Sequence, residues 1–225
     1  ALENYRGATQ RARSLADEDP KNDRFRRILA LSYRKLADLE SQRGEFAQAL
    51  PNARSAREIN QALAAADPDN VQASANFALS LTTLADLLDK TGSGHEALDE
   101  YRHALAILDR LSAAEPAHMF MRSQLADDLV ATGALLAHQG QVAEARTLTS
   151  RGVTIARELA SRAVATPDEL SQYARILLTC EPAELRDAAG ALKTAERAVE
   201  KSQGRDPKSL HVLAPAYLEN DNRAH

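Results

Sequence analysis

Apolar residues recur at spacings of three and four along most of the chain, the period of one helix face. Phe77, Leu81, Leu84 and Leu88 form one such stripe, and Ala97, Tyr101, Ala104, Ile107 and Leu111 form the next. Between them Thr91-Gly92-Ser93-Gly94 predicts a tight turn, because glycine takes the left-handed backbone that such a turn needs. Glu115-Pro116 closes the second helix, since proline disfavours helical geometry in the residue before it. The same grammar predicts helices over about 22–43 and 45–66, and over about 118–139 and 141–164. Residues 1–18 read as a second-type helix without its first partner. Beyond Thr166-Pro167 the pattern is less regular. It predicts a short helix near 168–179, an interruption at Cys180-Glu181-Pro182, a helix over about 184–203 and a last one over 207–218. Glu219–Asn222 reads as a turn, with Asp221 standing where earlier units carry glycine.

These elements repeat every 48 residues. Ala49-Leu50 and Ala97-Leu98 continue Ala1-Leu2, and Ala145 extends the series. Asp19-Pro20, Asp67-Pro68 and Glu115-Pro116 keep the same interval, as do Gly44, Gly92 and Gly140. A fixed period of this size means stacked units, each burying its apolar face against its neighbours. The expected organisation is therefore one continuous core over 1–225. Its units are a half repeat at 1–20, then 21–68, 69–116, 117–167 and 168–206, and a half repeat at 207–225. Both ends cut through a helix pair, so the chain reads as a piece of a longer protein.

Composition narrows the chemistry. Hydrophobic residues make up 44% of the chain but aromatics only 4%, so alanine and leucine supply the core, as in closely packed helices. A net charge of −4 gives no general attraction for nucleic acid or a membrane surface. The one dense basic cluster, Lys21–Arg27 with Phe25 inside it, reads as the solvated start of a long helix. Cys180 is the single cysteine, which excludes an internal disulfide and fits a reducing, cytoplasmic setting. No apolar run reaches the roughly 18–20 residues that span a bilayer. The histidines are scattered, with no pair at the i, i+4 spacing of a helical metal site, and Glu181 beside Cys180 would raise a thiol pKa. Nothing here asks for a catalytic residue, a metal or a cofactor.

Helix pairs with small residues at fixed places resemble tetratricopeptide repeats. The best unit matches through Leu81, Leu84, Ala85, Leu88, Ala97, Tyr101 and Ala104. The next matches through Leu129, Gly133, Leu136 and Ala145, and departs at Thr132, Thr149 and Gly152. The earlier unit gives Tyr33, Leu36, Ala37, Ala49 and Ala56, with Ala53 replacing the aromatic, while Leu210, Leu213, Ala214 and Tyr217 fit a last first-type helix. The resemblance implies an all-α fold, a right-handed α-solenoid of antiparallel helix pairs. That family's units usually span 34 residues, so these are an extended form with about two extra turns, roughly seven residues, in each helix. The marker interval falls to 46 between Ala145 and Ala191, which predicts narrowing toward the C-terminal end.

In this family the first helix of each pair lines a concave groove. The match then assigns Arg34, Asp38 and Ser41 to the groove in one unit and Thr82, Asp86 and Asp89 in the next. Asp127, Val130, Ala134 and His138 follow. Asp38 and Asp86 are 48 apart, and Asp89 shares a helix face with Asp86. They form either an acidic strip for a basic or amide-rich peptide or ordinary solvated helix-face charges. The Lys-and-Asn arrangement that holds chaperone C-terminal carboxylates is absent from the corresponding positions.

Residues 19–50 and 188–217 also look like the repeat regions that follow the kinase domain in certain bacterial serine/threonine protein kinases. The chain itself carries no Gly-rich nucleotide loop, His-Arg-Asp or Asp-Phe-Gly motif. The expected function is a non-catalytic scaffold for a protein or peptide, serving a larger signalling protein. The alternative is self-association through apolar end faces, giving a homodimer or larger homo-oligomer.

Overall fold

The computed structural model describes residues 2–224. The marker residue Ala1 and the last residue, His225, lie outside the described residues. Every regular element described is helical. Within residues 2–111 these are α1 Leu2–Glu18, α2 Asp23–Gln42, α3 Phe46–Ala66, α4 Val71–Lys90 and most of α5 Gly94–Ala114. Then come α6 Met119–His138, α7 Val142–Ser161, α8 Pro167–Thr179, α9 Ala188–Lys201 and α10 Pro207–Ala224. From α2 to α7 each helix has 20 or 21 residues, about 30 Å at 1.5 Å rise, whereas α8 has 13 and α9 has 14. The expected lengthening and the later shortening are both present.

The repeated Asp-Pro signal works through the residue three places on. Asn22 accepts the backbone N–H groups of Arg24 and Phe25, and Asn70 accepts that of Ala73 at 3.0 Å. Each asparagine also donates to the aspartate of its own marker, Asn22 to Asp19 at 3.2 Å and Asn70 to Asp67 at 3.1 Å. These side chains satisfy N–H groups that the first helical turn leaves unpaired. His118 takes the same place in the next unit through Nδ1, at 3.4 Å from the Met121 nitrogen. At the other end, Gly44, Gly92 and Gly140 have φ of 75°, 83° and 80°, the left-handed geometry expected of them. Gly94, by contrast, is the first residue of α5 rather than part of the break.

The marker alanines Ala49, Ala97, Ala145 and Ala191 are all fully buried. Where the α6–α7 pair departs from the repeat pattern, the departures compensate one another. A Cβ on Gly152 would lie 2.8 Å from the Ala126 carbonyl oxygen and 2.9 Å from Val130 Cγ2. One on Gly133 would meet Thr149 Oγ1. Glycine on each helix lets these two backbones approach more closely than any side chain would allow.

Three expectations near the C-terminal end are corrected. Helix α7 stops at Ser161 instead of running to 164, because Arg162 turns to an extended conformation and donates to the Leu159 carbonyl and the Glu169 carboxylate. The helix expected from 184 starts at Ala188. A 3-10 turn, Ala183–Leu185, precedes it, and Asp187 caps its first turn through the Gly190 N–H at 2.9 Å. The turn expected at Glu219–Asn222 is helix, since α10 continues to Ala224. Asp221 lacks the left-handed freedom that the glycines supply at the real turns.

The chain divides near Leu111 into two compact units. In the first, α2 packs on α1, α3 and α4, and α3 on α4. In the second, α6 packs on α7 and α8, and α8 on α7, α9 and α10. First-type helices thus lie beside one another within each unit, which makes a common face.

Candidate functional site

In the second unit the common face is a cleft of about 860 Å³ whose walls come from α6, α8 and α10. Its polar scaffold is tied internally. Ser123 Oγ donates to Gln172 Oε1 and Gln172 Nε2 returns a bond to the Ser123 carbonyl, both at 2.8 Å. Ser171 and Ser209 bridge α8 to α10 at 3.1 Å. These bonds tie α6 to α8 and α8 to α10. Phe120 stands at the rim, 56% exposed, with Met119 and Val212 continuing the apolar wall. Arg175 pairs with Asp127, and Lys208 Nζ lies 3.1 Å from Asp168 Oδ1. Glu169, the buried acid of the lining, is held by Arg162 at 2.6 Å and accepts the Thr166 N–H at 2.7 Å. The charges in the cleft are therefore balanced in pairs, and the rim pairs are exposed enough to exchange partners at little cost.

The first unit presents two smaller clefts on its own first-type face, between α2 and α4. One, of about 210 Å³, brings together Asp38 and Ser41 from α2 with Asp86 and Lys90 from α4. Sequence spacing placed Asp38 and Asp86 together, and they do share this cleft. They do not form an uncompensated acidic strip. Arg34 Nη1 is 3.6 Å and Lys35 Nζ 3.8 Å from Asp38 Oδ2, and Lys90 Nζ donates to Ser41 Oγ at 3.2 Å. Asp86 accepts the hydroxyl of Tyr101. Asp89 is exposed beyond the cleft, and the half-buried Thr82 hydroxyl donates to the Ala78 carbonyl of its own helix at 3.2 Å. Arg34 also lines the second cleft, with Arg27, Ile28, Leu31, Asn60 and Asn76.

The remaining sequence candidates separate. Asp127 lines the large cleft, whereas His138 is exposed at the last turn of α6 and lines none of these clefts. Val130 is buried. Phe120, Arg175, Lys208 and His211 were not anticipated, because their assembly depends on three helices at once. The apolar exposure of Phe120 just after a cap was the one local signal available. Within the basic cluster Lys21–Arg27, Phe25 packs on the core beside Leu29 and Tyr33, and Arg26 pairs with Asp23 at 3.1 Å. Cys180 is buried at the end of α8, and burial pushes its thiol pKa up, with Arg186 acting in the opposite direction. Among the described residues no group of three or more His, Cys, Asp or Glu could hold a metal ion. No described helix is long and apolar enough to cross a membrane.

No protein-family model matches the chain, and no curated protein matches it. Solved structures do. The crystal structure of BtubC (BKLC) from P. vanneervenii superposes with a TM-score of 0.56 at 19% identity, covering 96% of this chain and 81% of that one. TTC0263, a thermophilic TPR protein of Thermus thermophilus, gives a TM-score of 0.56 at 18% identity, covering 97% and 93%. At such identities the likeness speaks to architecture alone. With the paired helices, the buried marker alanines and the glycine turns, it establishes that the chain has the all-α tetratricopeptide-repeat fold.

Proposed function

We propose that the chain is a non-catalytic scaffold that binds protein or peptide segments along the faces of its first-type helices. The observation that carries this reading is the 860 Å³ cleft across α6, α8 and α10, which holds an exposed Phe120 beside rim ion pairs. Its size falls within the range of about 300–1,000 Å³ typical of ligand sites. Walls drawn from three successive first-type helices suit an extended segment, with an apolar anchor at Phe120 and polar contacts at Arg175 and Lys208. His138 lies further along α6 and would meet only a longer ligand. In the first unit Asp38 and Asp86 are proposed to take a basic side chain, flanked by Arg34, Thr82 and Asp89.

A peptide library screened by NMR titration tests this reading. Shifts should concentrate on α6, α8 and α10 and fall away in Phe120→Asp. A footprint confined to the second-type helices would overturn it. Asp38→Lys should weaken basic peptides while leaving folding intact. Asp86→Lys is the poorer probe, because it also removes the acceptor of the Tyr101 hydroxyl.

The finer setting we propose is a regulatory region of a larger, cytoplasmic bacterial signalling protein, a serine/threonine kinase. The sequence likeness at 19–50 and 188–217 supports it, and a gene without a neighbouring kinase domain would end it.

A second reading, homo-oligomerisation, is favoured by α10. Leu210 and Tyr217 are 47% and 46% exposed, although Leu81 and Leu88, their counterparts in the repeat pattern, are buried in α4. Light scattering across a concentration series should then show growth that Leu210→Arg abolishes.

A further inference from the structure

The smaller cleft at the N-terminal end of the α2–α4 face carries chemistry opposite to that of Asp38 and Asp86. Its volume is about 160 Å³, below the roughly 300 Å³ of small-molecule sites, so it suits one or two side chains of a segment. Arg27, exposed on its wall, makes no hydrogen bond or ion pair among the described residues. Its neighbour Arg26 is committed to Asp23, and Arg34 leans toward Asp38. Asn76 adds a donor. Its Oδ1 accepts from Gln72 at 3.1 Å, which leaves the Nδ2 hydrogens for a ligand. Ile28 and Leu31 are 41% and 51% exposed on adjacent turns of α2, an apolar step beside the cation. Arg27, Leu31, Arg34 and Asp38 follow one another at spacings of four, three and four, so all four lie along one stripe of α2.

We propose that this cleft is a docking subsite for an acidic side chain followed by an apolar one on a partner polypeptide. Arg27 and Asn76 would receive the carboxylate, and Ile28 and Leu31 the apolar group. The proposal rests on the scaffold reading and gives it a polarity. Asp38 lies eleven positions on from Arg27, a rise of about 16 Å along α2. An extended segment covers that distance in about five residues. The partner segment thus carries an acid, an adjacent apolar residue, and a base about five positions from the acid. The acid faces the start of α2 and the base faces its end.

The test uses the whole chain and a fluorescein-labelled peptide with the core Asp-Leu-Ser-Gly-Ser-Lys, followed by anisotropy and by NMR shift mapping. Two companion peptides replace Asp by Asn, or place Lys beside Asp. Binding of the first peptide should exceed that of each companion by about fivefold to tenfold, the scale of one part-exposed charge-assisted contact. Arg27→Glu should erase that preference, and Leu31→Ser should weaken all three peptides. Both residues are exposed, so the fold survives either change, and Arg205→Glu, exposed and outside the lining of these clefts, serves as the unaffected control. Equal binding of the Asp and Asn peptides, or a preference that persists in Arg27→Glu, overturns the subsite while shifts elsewhere on the first-type helices keep the scaffold reading alive. No shift on any first-type helix with any peptide overturns both.

Discussion

The helix pairs α4–α5 and α6–α7 occupy equivalent places in the repeat and fill them with different residues. Ala85, Tyr101 and Ala104 in the first become Gly133, Thr149 and Gly152 in the second, each 48 residues on. In the first pair Tyr101 is buried and its hydroxyl reaches Asp86 on α4. In the second there is no aromatic, the helices close on two glycines, and the Thr149 hydroxyl turns instead to the Glu181 carbonyl, 32 residues on. What persists between the units is the seat of one helix on the other. Side-chain volume and helix separation trade against each other to keep it filled.

The largest effect should come from emptying the seat that relies on volume. Tyr101→Ala removes a buried ring and the donor to Asp86, and should cost about 3–5 kcal/mol by denaturant unfolding. Thr149→Ala removes far less and should cost about 1 kcal/mol, mainly the bond to Glu181. Similar costs at the two positions would break the contrast between the pairs.

Next comes the seat that relies on closeness. Helix propensity alone predicts that Gly152→Ala stabilises by about 1 kcal/mol. The obstacle to a Cβ is the Ala126 backbone oxygen, which cannot rotate aside, so the change should instead destabilise by about 1–3 kcal/mol. Ala104→Gly at the equivalent place creates no clash and should cost only about 1 kcal/mol in propensity and lost contact. A stabilised Gly152→Ala would mean that the α6–α7 approach is looser than these distances state.

The same contrast explains what could be read in advance. The period, the glycine turns and the helix boundaries through α6 follow from local rules, because a proline, a glycine or an apolar stripe acts within a few residues of itself. Gly152 looked like a departure from the pattern, since its meaning depends on the Ala126 carbonyl of another helix. The clefts on the first-type faces were legible to the same extent. The 48-residue interval relates Asp38 to Asp86, and both line one cleft. Their cationic neighbours Lys35 and Lys90 were not weighed, and the place of Arg27 on a cleft wall was hidden inside a charge run that resembled ordinary helix solvation. Phe120 and Lys208 lie on helices whose spacing is set by Gln172 and Ser171, and that spacing is invisible until the helices are packed.

The smallest effect concerns the caps that start α4 and α6. Asn70 accepts the Ala73 N–H at 3.0 Å and is itself held by Asp67, so two bonds fix the entry to α4. His118 makes a single, longer bond of 3.4 Å to the Met121 N–H, and Glu115 replaces the aspartate of the marker. Asparagine is among the best capping residues, and removing it typically costs about 1 kcal/mol. Asn70→Ala should therefore cost about 1 kcal/mol and His118→Ala about half of that or less, while His118→Asn should stabilise by about 0.5 kcal/mol. Amide hydrogen exchange at Ala73 and Met121 reads each cap locally, free of any coupling between repeats. Protection at Met121 should rise in His118→Asn. If it does not, the longer bond at α6 reflects a helix start held by packing rather than by its cap, and the two pairs differ in how they begin as well as in how they close.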